Sequence, residues 1–473
     1  MTPSNQEALA SAAVGGESII VDDSLSVAEG VDEDEQSSSS SSFLTSVYHD
    51  LGAIANLCSA TLGAGILAIP YGMYLSGLVF GGILLLVSGI ATIFSIDLLI
   101  EATQKYRCRS YEDLVERALG KRSRLLTELS IVVSCIGVLV AYLIAVGDIL
   151  ETFVGPERRA VSMVIAWAVT MLPLSLLKTM DSLQWASSTG IISIFLLVVA
   201  ALHQVLVDEA AESAHNLLPL LWPSNGITSV TVACPIVLFA FNCQVNVSSI
   251  YDEMSRKENM KTVTRASMSL CGILYLIMGL IGLWDFGSDM MPNILLNYHN
   301  TKSFYIEMAF LSMAVAIITA SPMNVFPARF TIFGLMMPVE PEERPEVSDL
   351  EEPLLEKGPL ENDVEQATRS ESDDSGDSSI SSLPSLAIPE PSLLSHVLVT
   401  VAISASSLGF ALIVPNISVV FGLLGGTMGS FIGFVLPGAC GVAIGRTSGW
   451  LLVVGGTFTG VLTTAVTVYS TFC

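Results

Sequence analysis

The sequence is poor in charged residues for its length, and this scarcity excludes most soluble folds. Only 14% of its 473 residues are Asp, Glu, Lys or Arg, against roughly 25% in an average soluble domain. With 20 Lys and Arg in all, no basic stripe indicates a nucleic-acid partner. The chain also lacks a GxxxxGK[ST] phosphate loop, an HExxH pair and a CxxC pair, so we expect no enzyme activity, no cofactor and no metal site.

The acidic residues that are present fall mainly in two segments. Residues 1–50 hold ten acidic residues and no Lys or Arg, and residues 337–392 hold sixteen acidic and three basic residues. Together they account for nearly all of the formal net charge of −25. Both segments are rich in Ser, and the second is also rich in Pro. We therefore predict a disordered acidic tail over 1–50 and a disordered acidic loop over 337–392, both cytosolic.

Long apolar runs occupy the rest of the chain. The mean hydropathy is +0.65, and the runs are about 20 residues long, enough to cross the hydrocarbon layer as helices. We predict an all-α integral membrane protein with eleven transmembrane helices, eight in residues 51–336 and three in residues 393–473. The spans are predicted near 51–75, 78–100, 126–150, 159–178, 186–207, 228–250, 266–286, 304–327, 393–414, 417–439 and 449–471.

Basic residues between the spans predict the orientation. With the N-terminus in the cytosol, seventeen Lys and Arg fall on the inner side and three on the outer side: Arg158, Arg159 and Lys302. This is the bias that the positive-inside rule describes, so we predict a cytosolic N-terminus. The predicted outer segments carry no cysteine pair and are short, which favours a vacuolar, lysosomal or other endomembrane location over the plasma membrane.

The first predicted span contains SATLGAGILAIPYG, residues 59–72. Gly63, Gly65 and Pro70 in the middle of an apolar run disfavour a continuous helix. Unwound backbone at this depth is tolerated where it faces protein or a water-filled cavity. Its free amides can bind a carboxylate, and its free carbonyls can bind an ammonium group or a cation. The alternative is close helix packing through small residues.

The sixth predicted span reads PIVLFAFNCQVNVSSIYDEM, residues 235–254. Pro235 opens it, and Asn242, Gln244 and Asn246 interrupt an otherwise apolar run. Polar side chains at this depth are costly unless they find partners or line a cavity, although an interhelical hydrogen bond is the alternative for any single Asn. Interrupted helices at positions one and six are the pattern of two inverted repeats of five helices each.

Three stretches carry a family resemblance: GAGILAIPYGMYLSG (63–77), FAFNCQVNVSSIYDEM (239–254) and SPMNVFPARF (321–330). On these motifs the chain resembles the amino acid/auxin permease family, and within it the sodium-coupled neutral amino acid transporters and the vacuolar amino acid transporters. The resemblance implies a LeuT-type fold, a 5+5 inverted repeat plus one helix. It also implies ion-coupled secondary active transport of amino acids, with neutral ones expected, by alternating access.

The same resemblance implies an α-amino acid held between the first and sixth helices. Backbone amides of the first helix would bind its carboxylate, carbonyls of the sixth would bind its amine, and side chains of the sixth would face its side chain. The implied substrate-binding residues are Leu62, Gly63, Ala64, Gly65, Phe239, Phe241, Asn242 and Gln244.

The coupling ion stays open between H⁺ and Na⁺. Ser59, Thr319 and Ser321 are the candidate ion-binding residues. Matching the third motif, however, places the hydroxyl expected in sodium-coupled members on Ile318 or Ala320. Ionisable residues near the predicted span ends are interpreted as interface residues rather than as a proton relay: Asp97, Asp148, His203, Asp285 and Glu307.

Two further hypotheses concern the cytosolic side. An amino acid sensor that signals through partners of the acidic segments is the alternative function. At the inner end of the sixth span, Asp252 and Glu253 lie beside basic residues. They form either a gate salt bridge, with Arg329 as a further candidate partner, or a simple solvated cluster.

Overall fold

The computed structural model describes residues 50–177, 184–208, 218–254, 256–299, 301, 303–336 and 392–472. Within these ranges the chain is helical, with no strand. The predicted acidic tail and acidic loop lie outside the described residues, apart from Asp50 and Ser392. The sensor hypothesis and its cytosolic partners depended on those two segments.

Sixteen α-helices are numbered here in chain order. Helix α1 is residues 50–61. The others are α2 (Ile69–Tyr106), α3 (Tyr111–Leu119), α4 (Lys121–Val154), α5 (Arg159–Ala166), α6 (Leu172–Ser175), α7 (Gln184–Asp208), α8 (Ile227–Ala240), α9 (Gln244–Glu253), α10 (Met260–Phe286), α11 (Ile294–Asn297), α12 (Phe304–Met336), α13 (Leu393–Ile413), α14 (Ile417–Leu424), α15 (Leu436–Ala443) and α16 (Gly449–Phe472).

Nine helical stretches of the described residues are long and apolar enough to cross a membrane. They are Ile69–Tyr106, Lys121–Val154, Ser188–Val207, Ile227–Glu253, Lys257–Asp289, Phe304–Met336, Leu393–Ile413, Ile417–Ala443 and Gly449–Thr471. The protein is therefore a multi-pass integral membrane protein, as predicted. The number is two lower than the eleven spans expected, so the count of eleven is not confirmed. Two local features of the backbone lie where the first and fourth spans were predicted.

The first feature is a sharp junction at Gly77 inside α2. Gly77 has φ +72° and ψ 160°, so the helix before it and the helix after it point in different directions. A Cβ atom there would lie 2.5 Å from the carbonyl carbon of Trp222. Only glycine combines this positive φ with so close a backbone contact. Residues 69–76 thus form a short helix of their own, next to the break that follows α1.

The second feature is the short helix that runs from Arg159 to Ser175. It comprises α5, a π-helical turn at Trp167–Met171, and α6. Its seventeen residues extend about 25 Å at 1.5 Å each, somewhat less than the roughly 30 Å hydrocarbon layer. It coincides with the fourth predicted span.

The core lies where α2, α4, α8, α10 and α12 pack together. Outward faces remain apolar: Leu86 and Ile90 of α2, for example, are 65% and 58% exposed. An apolar face without a protein neighbour is expected where lipid is the solvent. The helices therefore bury one face against each other and present another to the hydrocarbon.

Ion pairs connect the basic loops to one another on one face of the molecule. Glu101 at the end of α2 pairs with Lys261 at 3.1 Å and with Arg446 at 2.8 Å. Asp252 of α9 lies 3.6 Å from Arg109 and 3.5 Å from Lys257. Three loops that the sequence assigns to the inner side thus meet at a common surface.

Arg329 does not join this surface cluster, contrary to the salt bridge considered from the sequence. Its guanidinium is buried and donates to the carbonyl oxygens of Ser175 and Leu177 and to the hydroxyl of Thr400, at 3.0–3.2 Å. The carbonyl end of a helix carries partial negative charge, so the end of α6 replaces a carboxylate as the partner of this cation.

A second buried charge lies near the C-terminal end of α4. Asp148 is 4% exposed. It accepts from the guanidinium of Arg159 at 2.8 Å and from the side-chain amide of Asn293 at 2.8 Å. Asp148 is therefore a buried, paired carboxylate, where an interface position was expected from its place near a span end. It fastens α4, α5 and the loop before α11 to one another.

Helix α14 and helix α15 are joined by two π-helical turns, Gly425–Gly429 and Phe431–Val435, of which the first packs against α8. A Cβ atom at Gly425 would overlap the carbonyl oxygen of Pro235.

Gly425→Ala is expected to lower the free energy of unfolding by about 1–3 kcal/mol, because the backbone carbonyl cannot move aside. The loss would appear as a lower melting temperature of the purified protein.

Gly455→Ala in α16 is the matched control, since a Cβ atom there meets nothing within 4 Å. Alanine should leave stability unchanged or raise it by up to about 1 kcal/mol through its higher helix propensity. Equal melting temperatures for the two variants would contradict the close contact between α8 and the π-helical segment.

Candidate functional site

The first helix break lies between α1 and α2. Leu62 and Gly63 are not helical, and Ala64–Leu67 forms one 3₁₀ turn. Within the described chain, the amides of Gly63, Ala64 and Gly65 donate to no backbone carbonyl. The amide of Leu62 is already used, because it donates to the carbonyl of Cys58 at 2.7 Å. Of the four amides predicted to bind a carboxylate, three are therefore available.

The second break separates α8 from α9 at residues 241–243. The carbonyl of Phe239 accepts from the amide of Asn242 at 3.0 Å. Among the described residues, no backbone amide donates to the carbonyls of Phe241 and Asn242. This break consequently leaves acceptors free, whereas the first break leaves donors free.

The two breaks lie against each other because a glycine faces an alanine. A Cβ atom at Gly65 would lie 3.0 Å from the Cα atom of Ala240. That spacing is tighter than ordinary van der Waals contact, so a side chain at Gly65 would push the breaks apart. The free amides of one break and the free carbonyls of the other thus belong to a single region of the core.

Tyr275 of α10 joins the two breaks. Its hydroxyl lies 2.8 Å from the carbonyl oxygen of Thr61, the last residue of α1, and 2.6 Å from that of Ala240, the last residue of α8. The residue is fully buried. One hydroxyl hydrogen is thus shared between the carbonyl ends of two interrupted helices, which would otherwise lack a donor.

Tyr142 of α4 approaches the same region from another side. Its hydroxyl oxygen is 3.6 Å from the position that a Cβ atom of Gly63 would take. Neither Tyr142 nor Tyr275 was among the residues predicted for the site. The available signal was a tyrosine in the middle of an apolar span, where a phenolic hydroxyl needs a partner.

The predicted side chains of the sixth span point in different directions. The ring of Phe241 is buried edge-on against Tyr275, with centroids 5.2 Å apart, and Phe239 stacks on Phe421 at 4.8 Å. Asn242 and Gln244 face the π-helical segment: the amide nitrogen of each lies 3.5 Å from the Cβ position of Gly429 or Gly433, respectively. Asn246 is exposed.

Gln244 is the most constrained of these side chains. It is fully buried, and its Oε1 accepts from the amide of Cys243 at 3.0 Å. Its Nε2 has no hydrogen-bond partner among the described residues. A buried donor of this kind is costly unless a ligand or water completes it.

The candidate ion-binding hydroxyls of α12 are directed at their own helix. Thr319 donates to the carbonyls of Val315 and Ala316, at 2.9 and 3.1 Å, and Ser321 donates to that of Ile318 at 2.8 Å. Ser59 of α1 lies beside α7, with its Oγ 3.8 Å from the Cβ position of Gly190.

Comparison with known proteins identifies the family of this chain. Residues 51–472 match the family model described as transmembrane amino acid transporter protein. The chain belongs to this family. The resemblance drawn from its sequence motifs is thereby confirmed, and the protein is a membrane transporter of amino acids by its family.

Two relatives and one solved structure show how similar individual proteins are to this chain. The chain is 28% identical to vacuolar amino acid transporter 6 of Saccharomyces cerevisiae over 416 residues, covering 82% of this chain and 88% of the relative. It is 25% identical to sodium-coupled neutral amino acid transporter 7 of Homo sapiens over 409 residues, covering 82% and 78%. Among solved structures, a Na⁺-coupled sialic acid symporter in a substrate-bound outward-open state matches 88% of this chain and 89% of its own, with 14% identity and a TM-score of 0.47.

Tyr275→Phe tests the junction between the breaks. The ring and its contact with Phe241 would stay, but the carbonyls of Thr61 and Ala240 would lose their shared donor. Leaving buried acceptors unpaired should lower the free energy of unfolding by about 1–3 kcal/mol, measured as a lower melting temperature. Tyr469→Phe is the control, because Tyr469 is 70% exposed on α16. A Tyr275→Phe protein as stable as the control would contradict the bridging role.

Proposed function

We propose that the protein is an ion-coupled secondary active transporter that carries neutral amino acids by alternating access at the two helix breaks. The observation that supports this most directly is the pairing of free amides at Gly63, Ala64 and Gly65 with free carbonyls at Phe241 and Asn242. An α-amino acid offers a carboxylate for the first set and an ammonium group for the second. The substrate would thus replace the hydrogen bonds that both breaks lack.

The lack of charged side chains around the breaks supports a neutral substrate. The described stretches 57–68 and 236–248 contain no Asp, Glu, Lys, Arg or His. The neighbouring Tyr142, Tyr275 and Phe421 add hydroxyls and rings without formal charge. A substrate with an ionised side chain would be desolvated here without a partner, which is unfavourable.

We further propose eleven membrane crossings in a LeuT-type 5+5 arrangement plus one helix. The nine apolar stretches are completed by the interrupted first span, formed by α1 and residues 69–76, and by the short helix from Arg159 to Ser175. The two breaks then fall in the first and sixth crossings, which are equivalent positions of two five-helix repeats. The common basic surface supports a cytosolic N-terminus, and the vacuolar relatives favour a vacuolar or other endomembrane location.

A proton or sodium gradient would drive the cycle. The hydroxyls of Thr319 and Ser321 are bonded to carbonyls of α12, and Ser59 is the candidate that lies on α1, which the first break follows. Both ions therefore remain alternatives, and transport under each gradient distinguishes them.

Uptake into proteoliposomes is the decisive experiment. Isotope-labelled amino acids would be supplied under an imposed proton gradient, an imposed sodium gradient, or neither. We expect neutral amino acids to accumulate under one gradient and to stop accumulating when an ionophore collapses it. Uptake of no amino acid under any gradient, by protein that binds amino acids, would contradict transport and favour a sensor.

Gly65→Ala tests the location of the site. Its Cβ atom would lie 3.0 Å from the backbone of Ala240, so the breaks must separate and the bound substrate must lose one of its two partners. We expect uptake to fall by at least about tenfold. Gly409→Ala, where a Cβ atom meets nothing within 4 Å, should transport normally. Equal uptake by both variants would place the site elsewhere.

A further inference from the structure

Two groups of basic residues on the common surface differ in their partners. In one group, each cation has an acidic partner: Lys257 with Asp252, Lys261 and Arg446 with Glu101, and Arg265 with Asp97, at 2.8–3.8 Å. Their charge is largely balanced within the protein. The other group surrounds α3 and is not balanced in this way.

The second group consists of five exposed cations before, within and after α3. They form no ion pair with any acidic residue that the structure describes: Lys105, Arg107, Arg117, Lys121 and Arg122. We call these five residues the basic patch. These five residues are close in space as well as in sequence, because α3 packs against both α2 and α4.

A hydrogen bond holds the two halves of the basic patch together. Arg117, in the last turn of α3, donates to the carbonyl oxygen of Tyr106 at 2.9 Å. Tyr106 is the last residue of α2 and lies between Lys105 and Arg107 in the chain. Lys121 begins α4 directly after Gly120, which ends α3. The five cations therefore crowd around one short hairpin of helices.

Nearby acidic residues do not neutralise the patch. Asp113, Glu116 and Glu128 all bind Arg124, at 3.4 Å or closer. Burial raises the pKa of the Glu112 carboxyl, which disfavours its negative charge. The three carboxylates that bind Arg124 exceed its single charge by two, which is less than the five positive charges of the patch, and all five side chains of the patch are exposed.

The basic patch also lies beside the start of an apolar, outward-facing surface of α4. Lys121 and Arg122 precede the first outward-facing leucines of α4 by about one helical turn, or roughly 5 Å. Those leucines, Leu125, Leu126 and Leu129, are 46–56% exposed on a membrane-spanning helix, as expected for contact with acyl chains. Cations immediately outside such a face meet the phosphate layer of the bilayer.

We propose that the basic patch is a binding site for the phosphorylated headgroup of an anionic membrane lipid. Arg107, Arg117 and Arg122 would contact phosphate oxygens through paired N–H groups, and Lys105 and Lys121 would add point charges. The acyl chains would lie along Leu125, Leu126 and Leu129. This site is separate from the helix breaks and does not depend on the transport proposal.

Titration of the full-length protein in neutral detergent with a fluorescent short-chain phosphatidylinositol bisphosphate tests the proposal by anisotropy. We expect saturable binding by the wild type. Lys121→Gln/Arg122→Gln should raise the dissociation constant roughly 30-fold, because each of the two cations strengthens binding to an anionic headgroup by roughly fivefold. Lys105→Gln/Arg107→Gln should have a similar effect and serves as a second variant if the first does not fold.

Lys257→Gln/Arg446→Gln is the matched control, since it removes the same charge from the same surface but from ion-paired positions. Its dissociation constant should stay within about twofold of the wild type. Equal weakening in the control would overturn the site in favour of diffuse attraction to the whole surface. Equal binding of a soluble inositol phosphate would overturn the lipid as ligand, and displacement by an acidic peptide but not by phosphatidylserine vesicles would indicate a protein partner instead. Absence of binding by the wild type would also overturn the proposal.

Discussion

A peptide group without a hydrogen-bond partner is costly inside a membrane, and this protein interrupts two of its central helices. The hydroxyl of Tyr275 reduces that cost, because it donates to the carbonyl ends of α1 and α8 together. What remains unsatisfied is then confined to a few amides at Gly63–Gly65 and a few carbonyls after Ala240. The backbone groups without a backbone partner are therefore concentrated where the two breaks meet.

The surroundings of the breaks follow the same rule. The π-helical segment beside α8 displaces carbonyls from their usual partners, and hydroxyls from other helices compensate. Tyr111 of α3 donates to the carbonyl of Ile432 at 2.7 Å, and Ser95 of α2 donates to that of Gly433. Ser430 donates to the carbonyl of Gly425 at 2.8 Å within the segment itself. Three carbonyls of this irregular segment thus accept from hydroxyls, two of them on neighbouring helices.

Sequence alone predicted the helical membrane architecture and both breaks, because glycine, proline and amide side chains in apolar runs have direct local consequences. Partners distant in sequence were not predictable in this way. Tyr275 contacts a carbonyl 214 positions away, and Asp148 binds Asn293, 145 positions away. Arg329 selected the carbonyl end of a helix instead of a carboxylate, a choice that depends on how α6, α12 and α13 pack. Gly77 ends one helix and begins another without any loop to mark the boundary in the sequence.

The junction at Gly77 has a mechanical consequence. A single residue connects the short helix 69–76 to the long remainder of α2, and the carbonyl of Trp222 blocks any side chain there. Because no loop separates these two helices, a change in the direction of one is expected to be transmitted to the other at Gly77. The other half of the interrupted first span, α1, is joined through residues 62–68 and is held in addition by the hydrogen bond from Tyr275 to Thr61. The two sides of the first break are therefore attached to different partners, one to the long remainder of α2 and the other to α10.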